Sequence, residues 1–255
     1  MPARLRRALR VASAAVIGLG ASGSPWAAET HVAVAANFTD AATELAEIFK
    51  EKTGHEAILS FGSTGQFYTQ ITQDAPFEVF LAADDERPRL AVDQGYAVPG
   101  SQLTYAIGTL VLWSQDPDLI QGKGTLKNGD FTKIAIANPV GAPYGAAAVQ
   151  TMQALGVYDQ LAPKLVQGNN ISQTFQFVET GNAELGFVAL AQVARSDEGS
   201  RWAVPEDLHD PIRQDAVLLR KGADSDAAQA FLDFLNGPEA GRIIHGLGYG
   251  TDASS

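Results

Sequence analysis

The chain of 255 residues carries 29 acidic against 18 basic side chains, four histidines and no cysteine. That balance speaks against nucleic acid and anionic membrane surfaces as partners, and no disulfide supports the fold. The length suffices for one large domain or two smaller ones with cores of their own.

Arg4, Arg6, Arg7 and Arg10 precede an apolar run of small residues from Val11 to Ala21, and Ser22-Gly23-Ser24-Pro25-Trp26-Ala27-Ala28 follows. A basic start, an apolar middle too short to span a membrane as a mature helix, and a small-residue exit predict an export signal over residues 1–28. Cleavage is expected after Ala27 or Ala28, and it removes four arginines and no acid. No cysteine stands at the exit to take a lipid anchor.

Residues 31–36 form a short buried-strand pattern, followed by the polar turn Asn37-Phe38-Thr39-Asp40 and a helical stripe over residues 41–50. Asn37 and Thr39 stand where a helix N-cap is expected. Thr53-Gly54 stops that helix, and residues 57–60 read as the next strand. Phe61-Gly62-Ser63-Thr64-Gly65-Gln66 is then a glycine-rich corner opening a helix to about Gln73. There Ser63 and Thr64 set two hydroxyls beside the unpaired N–H groups of a helix start, a corner able to bind an oxyanion or simply to cap the helix. Residues 79–83 are a third strand, closed by Asp84-Asp85. Strands alternating with helices at this spacing predict βαβ units and a parallel sheet, with ligands at the carboxyl ends of the strands. The turns at Asn37 and at Ser63-Thr64 are therefore expected on one rim.

Residues 104–114, with Gly108 in the middle, are too long for one strand of a compact sheet and read as an extended crossing between two lobes. A strand at 134–137 runs through Asn138-Pro139-Val140-Gly141-Ala142-Pro143-Tyr144-Gly145 into a helix over 146–155, with Tyr144 at the helix start. Ile171-Ser172-Gln173 opens a helix to about Glu179, residues 185–190 are a buried strand, and residues 216–220 return as a strand. Helices at 225–235 and 239–245 follow. This predicts an α/β fold in two lobes, residues 29–108 plus 217–255 forming the first and 109–216 the second.

His31, His55, His209 and His245 share no metal-ligand spacing. Asp84-Asp85-Glu86 could meet a cation or act as an acid, or be helix-capping acids on a solvated loop. Neither a Gly-x-Ser-x-Gly elbow nor a Gly-x-x-x-x-Gly-Lys-Ser/Thr phosphate loop is present. What remains is a set of polar turns without Lys or Arg, at Asn37, Ser63-Thr64, Tyr144 and Ile171-Ser172. Hydroxyls, an amide and helix-start N–H groups can hold a fully ionised oxyanion by hydrogen bonds alone.

Taken together, Ala35-Ala36-Asn37-Phe38, Gly62-Ser63-Thr64-Gly65, Asp74-Ala75-Pro76, Phe80-Leu81-Ala82-Ala83-Asp84, Tyr105-Ala106-Ile107-Gly108, Leu110-Val111-Leu112-Trp113-Ser114, Asn138-Pro139, Ala142-Pro143-Tyr144-Gly145 and Leu185-Gly186-Phe187-Val188-Ala189 resemble the periplasmic molybdate-binding proteins of ABC transporters. The resemblance covers essentially the whole mature chain. It implies a two-lobed type II periplasmic binding protein fold with mainly parallel sheets and molybdate or tungstate in the cleft. It implies no catalysis, no cofactor and no metal held by direct protein coordination. The partner it implies is an ABC permease in the inner membrane, served by a monomeric periplasmic receptor. The ligand set it implies is Asn37 with neighbouring Ala36, Ser63, Thr64 at the hydroxyl-ligand position, Tyr144, and Ile171 through its backbone N–H. Asn37 stands where many members have serine, and Ala189 where many have a ligand tyrosine. That matches a minority branch with its tyrosine on the third turn. The same fold binding sulfate, phosphate or an organic ligand, or a periplasmic hydrolase using Ser63, are the alternatives.

Overall fold

The strand that sets the first half of the molecule is β1 (Glu29–Ala35), whose Val32, Ala33 and Val34 are wholly buried. A strand covered on both faces needs apolar side chains at successive positions, as here. The computed structural model describes residues 27–250, so the expected export signal lies outside the described residues except for Ala27 and Ala28.

From β1 the chain passes through a 3-10 turn (Ala36–Phe38) into α1 (Thr39–Thr53), then β2 (Glu56–Gly62), α2 (Thr64–Thr72), β3 (Val79–Leu81) and α3 (Glu86–Asp93). Helix α1 buries Ala41, Ala42, Leu45 and Phe49, one helical face, and stops at Gly54 in the left-handed region. Next come β4 (Leu103–Gly108) and β5 (Leu110–Ser114), with Thr109 alone between them, and a short α4 (Gly124–Asn128). The second half continues with β6 (Ile134–Ala137), α5 (Pro143–Ala154), α6 (Tyr158–Leu161), β7 (Leu165–Gly168), α7 (Ile171–Glu179), β8 (Leu185–Ala189), α8 (Leu190–Val193) and β9 (Ser200–Ala203). Strand β10 (Ile212–Leu218) and helices α9 (Asp226–Leu235) and α10 (Pro238–Gly246) complete it.

Two five-stranded sheets result, ordered β2-β1-β3-β10-β4 and β7-β6-β8-β5-β9. Each has three parallel strands at one side and then two antiparallel pairings. The strand that adds the antiparallel part comes from the far side of a crossover in each case. Strand β5 enters the second sheet directly after β4 of the first, and β10 re-enters the first sheet after β9 of the second.

The extended segment expected over residues 104–114 is thus two strands in two sheets, broken at Thr109. The return differs from expectation. The chain is back in the first sheet at Ile212, not at residue 217, because β10 pairs with β3 and β4 along its length. Its first half, Ile212-Arg213-Gln214-Asp215, has charged and amide side chains that do not read as a buried strand. Burial is met by hydrogen bonds: the Asp215 carboxylate accepts from Thr104 Oγ1 at 2.7 Å and from Gln102 Nε2 at 2.6 Å. The expected caps at Asn37 and Thr39 are also not formed. Phe38 is the N-cap residue of α1, without a side-chain cap, and Thr39 bonds back to the Ala36 carbonyl at 2.8 Å.

The core of the second half extends across the join to take in Ala35, Ala36 and Ala83 of the first. The carboxyl ends of β1 and β3 therefore meet the second half at this point.

Candidate functional site

Four helix starts converge at that join. They are the 3-10 turn ahead of α1, α2, α5 and α7, and between them lies a small cavity of about 10 Å³. This is below the several hundred Å³ typical of organic-ligand pockets and suits a small ion. Its lining is Ala35, Ala36, Asn37, Gly62, Ser63, Thr64, Ala83, Ala142, Pro143, Tyr144, Asn170 and Ile171, with no charged side chain among them. All six residues singled out from the sequence (Ala36, Asn37, Ser63, Thr64, Tyr144 and Ile171) lie around this one space.

Each hydroxyl has its oxygen occupied. Thr64 Oγ1 accepts the buried N–H of Ala83 at 3.0 Å, Ser63 Oγ accepts the N–H of Gln66 at 3.4 Å as the N-cap of α2, and the Tyr144 hydroxyl accepts from Gln214 Nε2 at 3.3 Å. A hydroxyl that already accepts from the protein has its single proton left to donate. Burial, and then the neighbouring Tyr249, push the Tyr144 phenol well above its ordinary range, so that proton stays on.

The helix starts add N–H groups. In α7, Asn170 caps with its side chain to Gln173 N at 2.9 Å and with its carbonyl to Thr174 N at 3.1 Å. The first N–H groups of a helix have no partner within it, so those of Ile171 and Ser172 remain. In α2, the N–H of Gly65 goes to the Gly141 carbonyl at 2.9 Å, leaving that of Thr64. The carbonyl of Ala36 at the rim is already engaged by Thr39 Oγ1 and by Ser172 Oγ at 3.1 Å. The cavity thus presents hydroxyl and N–H protons at the positive ends of helix dipoles.

The sequence put Asn37 on the rim and left the direction of its amide open. The Nδ2 end of that amide turns away from the cavity, donating to Gln214 Oε1 at 2.7 Å and to the Tyr249 hydroxyl at 3.2 Å, while Oδ1 accepts no hydrogen bond among the described residues. The Ser172 hydroxyl likewise spans the two halves instead of facing inward. Asn170 was missed, although an Asn directly before a helix start is a legible N-cap signal. Gln214, Tyr105 and Tyr249 were missed with no such signal. Asp84 faces Arg87, whose N–H it accepts at 2.9 Å while pairing with the guanidinium. Burial raises its carboxyl above the usual range and Arg87 opposes that rise.

The halves are shut over the cavity. Besides Gly65–Gly141 and Ser172–Ala36, Arg87 Nη2 donates to the Val140 carbonyl at 2.8 Å and Arg195 pairs with Glu44 at 2.7 Å.

Two paired α/β sheets of equivalent layout with an anion-sized donor cavity at their join define a solute receptor of the type II periplasmic binding protein fold. Residues 30–250 match the family model described as bacterial extracellular solute-binding protein, and the chain belongs to that family. It is 56% identical over 246 residues to the molybdate-binding protein ModA of Rhodobacter capsulatus, covering 96% of this chain and 97% of that one. The solved periplasmic molybdate-binding protein of Azotobacter vinelandii is 40% identical with a TM-score of 0.84, across 87% of this chain and 99% of that one. The sulfate-binding protein SubI of Mycobacterium tuberculosis H37Rv shares the fold at a TM-score of 0.73 and 10% identity, over 89% and 88% of the two chains.

Proposed function

We propose that this chain is an extracytoplasmic receptor that captures molybdate, and tungstate, and delivers it to an ABC permease. It performs no catalysis and needs no cofactor. The observation that carries this reading is the uncharged, donor-rich cavity at four helix starts. Sequence identity above half to a curated molybdate-binding protein across nearly the whole chain supports the choice of anion.

The bound dianion takes hydroxyl protons from Ser63, Thr64 and Tyr144, and main-chain N–H groups at Asn37 beside Ala36 and at Ile171. Phosphate, which keeps a proton at neutral pH, needs an acceptor that these groups do not offer. Sulfate is fully ionised but has shorter bonds to oxygen, which leaves some donors out of reach. Each unmet buried donor costs about 1–3 kcal/mol. The first lobe comprises residues 29–108 and 212–250, the second residues 109–211, and they close on the ligand about the two crossovers. The receptor acts as a periplasmic monomer, exported by residues 1–28, and meets its permease at the inner membrane.

Calorimetry and thermal melting with molybdate, tungstate, sulfate and phosphate test this reading. Molybdate and tungstate should bind tightly, and a ligand at 100 times its dissociation constant should add about 2.7 kcal/mol of stability. Equal affinity for sulfate and molybdate sinks it.

A further inference from the structure

Gln214 is wholly buried on β10 and does not line the cavity, yet one hydrogen bond separates it from the cavity wall. The direction of every bond around it follows from counting protons. The main-chain carbonyl of Asn37 can only accept, so the Tyr249 hydroxyl, 2.7 Å away, donates its single proton there. The Tyr249 oxygen is then an acceptor and takes Asn37 Nδ2–H at 3.2 Å. That settles which end of the Asn37 amide faces Gln214, and the second Nδ2 hydrogen goes to Gln214 Oε1 at 2.7 Å. Gln214 must therefore present Nε2 to Tyr144, donating to its hydroxyl at 3.3 Å.

Sterics hold the pair together. The Tyr144 hydroxyl lies against Gly108 of β4, where any β-carbon would collide with it and with the Gln214 amide. Phe38 packs edge-on against Tyr105 and Tyr249, with ring centroids 4.7 and 5.3 Å away, which fixes the surrounding aromatic walls. The Tyr105 hydroxyl donates to the Ala82 carbonyl at 2.9 Å and lies 3.3 Å from Gln214 Oε1. Among the described residues no acceptor takes the Tyr144 proton.

We infer that Gln214 is a positioning residue for ligand selection: it orders the Tyr144 hydroxyl so that its proton is turned to the cavity. This rests on the reading of the cavity as an oxyanion site. The chain of bonds runs from the Asn37 carbonyl through Tyr249, the Asn37 amide and Gln214 to Tyr144, and each member has one allowed direction. An anion bearing a proton of its own meets no acceptor at Tyr144, so Gln214 helps exclude it without touching it. Without Gln214, the Tyr144 hydroxyl can rotate and accept.

A double-mutant cycle read by molybdate calorimetry tests the inference. Gln214→Met should weaken molybdate binding about tenfold in the parent, and less than twofold in a Tyr144→Phe background, because the hydroxyl it orders is gone. Gln214→Glu keeps the shape and the acceptor for Asn37, which covers the case in which methionine does not fold. Its second carboxylate oxygen turns the Tyr144 proton away from the cavity and adds a negative charge, so affinity should fall at least as far as in Tyr144→Phe. Equal losses for Gln214→Met in both backgrounds, or parent-like binding by Gln214→Glu, overturn the positioning role alone. A parent chain that binds no molybdate overturns the functional reading, and this inference with it.

Discussion

The two walls of the cavity orient their hydroxyls by different routes. On the first wall, Ser63 is set by its own helix and Thr64 by the N–H of Ala83, at the end of β3 in the same sheet. On the second wall, Tyr144 stands at the start of α5 but is ordered by Gln214, which belongs to the first sheet. The first wall is complete within one half of the molecule. The second is complete only when β10 lies against it. A receptor built in this way can hold half of its donor set ready in the open form and finish the other half through the strand that follows the second crossover.

The largest test of this contrast replaces the hydroxyls one wall at a time. Thr64→Val and Tyr144→Phe should each weaken molybdate binding by about 1.5–3 kcal/mol, roughly ten- to a hundredfold. Their effects on stability should separate. Thr64→Val strands a buried main-chain N–H that has nowhere else to turn, at a cost of about 1–3 kcal/mol, whereas Tyr144→Phe releases a longer bond from a side-chain amide. Melting curves of the ligand-free variants check this. If both bind molybdate as the parent does, the ligand does not sit where the helix starts meet.

Gly65 probes how the walls come together. A β-carbon there would lie 2.9 Å from Gly141 Cα, backbone against backbone across the join. Gly65→Ala should therefore oppose the shut form by about 1–3 kcal/mol, seen as weaker binding with little change in ligand-free melting. Solution scattering with saturating molybdate should show this variant less compact than the parent.

The network behind the second wall also has a pH signature. Burial pushes the phenols of Tyr105, Tyr144 and Tyr249 above their ordinary range, with neighbouring tyrosines adding to the rise at Tyr105 and Tyr144. Above about pH 10 the unfolded chain gives up these protons while the folded chain keeps them, so the unfolded state binds fewer protons and stability falls with rising pH. Thermal melts across that range should show the loss, less steeply in Tyr144→Phe, with molybdate affinity level below it. A parent-like slope in that variant argues against a buried, protonated Tyr144.

The smallest effect is expected at Ile171→Val. Its assigned contact is a main-chain N–H at the start of α7, and Asn170 still caps the helix, so molybdate affinity should stay within about twofold of the parent. A loss approaching that of Tyr144→Phe would mean that the Ile171 side chain, 3% exposed, shapes the cavity directly.

The sequence by itself determined whatever a few neighbouring residues decide. Ser63 capping α2, the helix starts at Tyr144 and Ile171, the parallel βα order and the break near Gly108 all follow from local pattern, because capping groups and turns act over three or four residues. The placement of the Asn37 and Ser63-Thr64 turns on one rim also followed, since every βα turn of a parallel sheet leaves from the same edge. The tertiary structure alone decided the direction of the Asn37 amide, the bridging role of Ser172, the return at Ile212, and the part taken by Gln214. Asn37 and Gln214 are 177 residues apart, Asn37 and Tyr249 are 212 apart, and Gln214 and Tyr144 are 70 apart. Their meeting depends on which strands pair, and a buried glutamine in a strand carries no periodic signal. Its cost of burial is met only by partners that the finished fold brings to it.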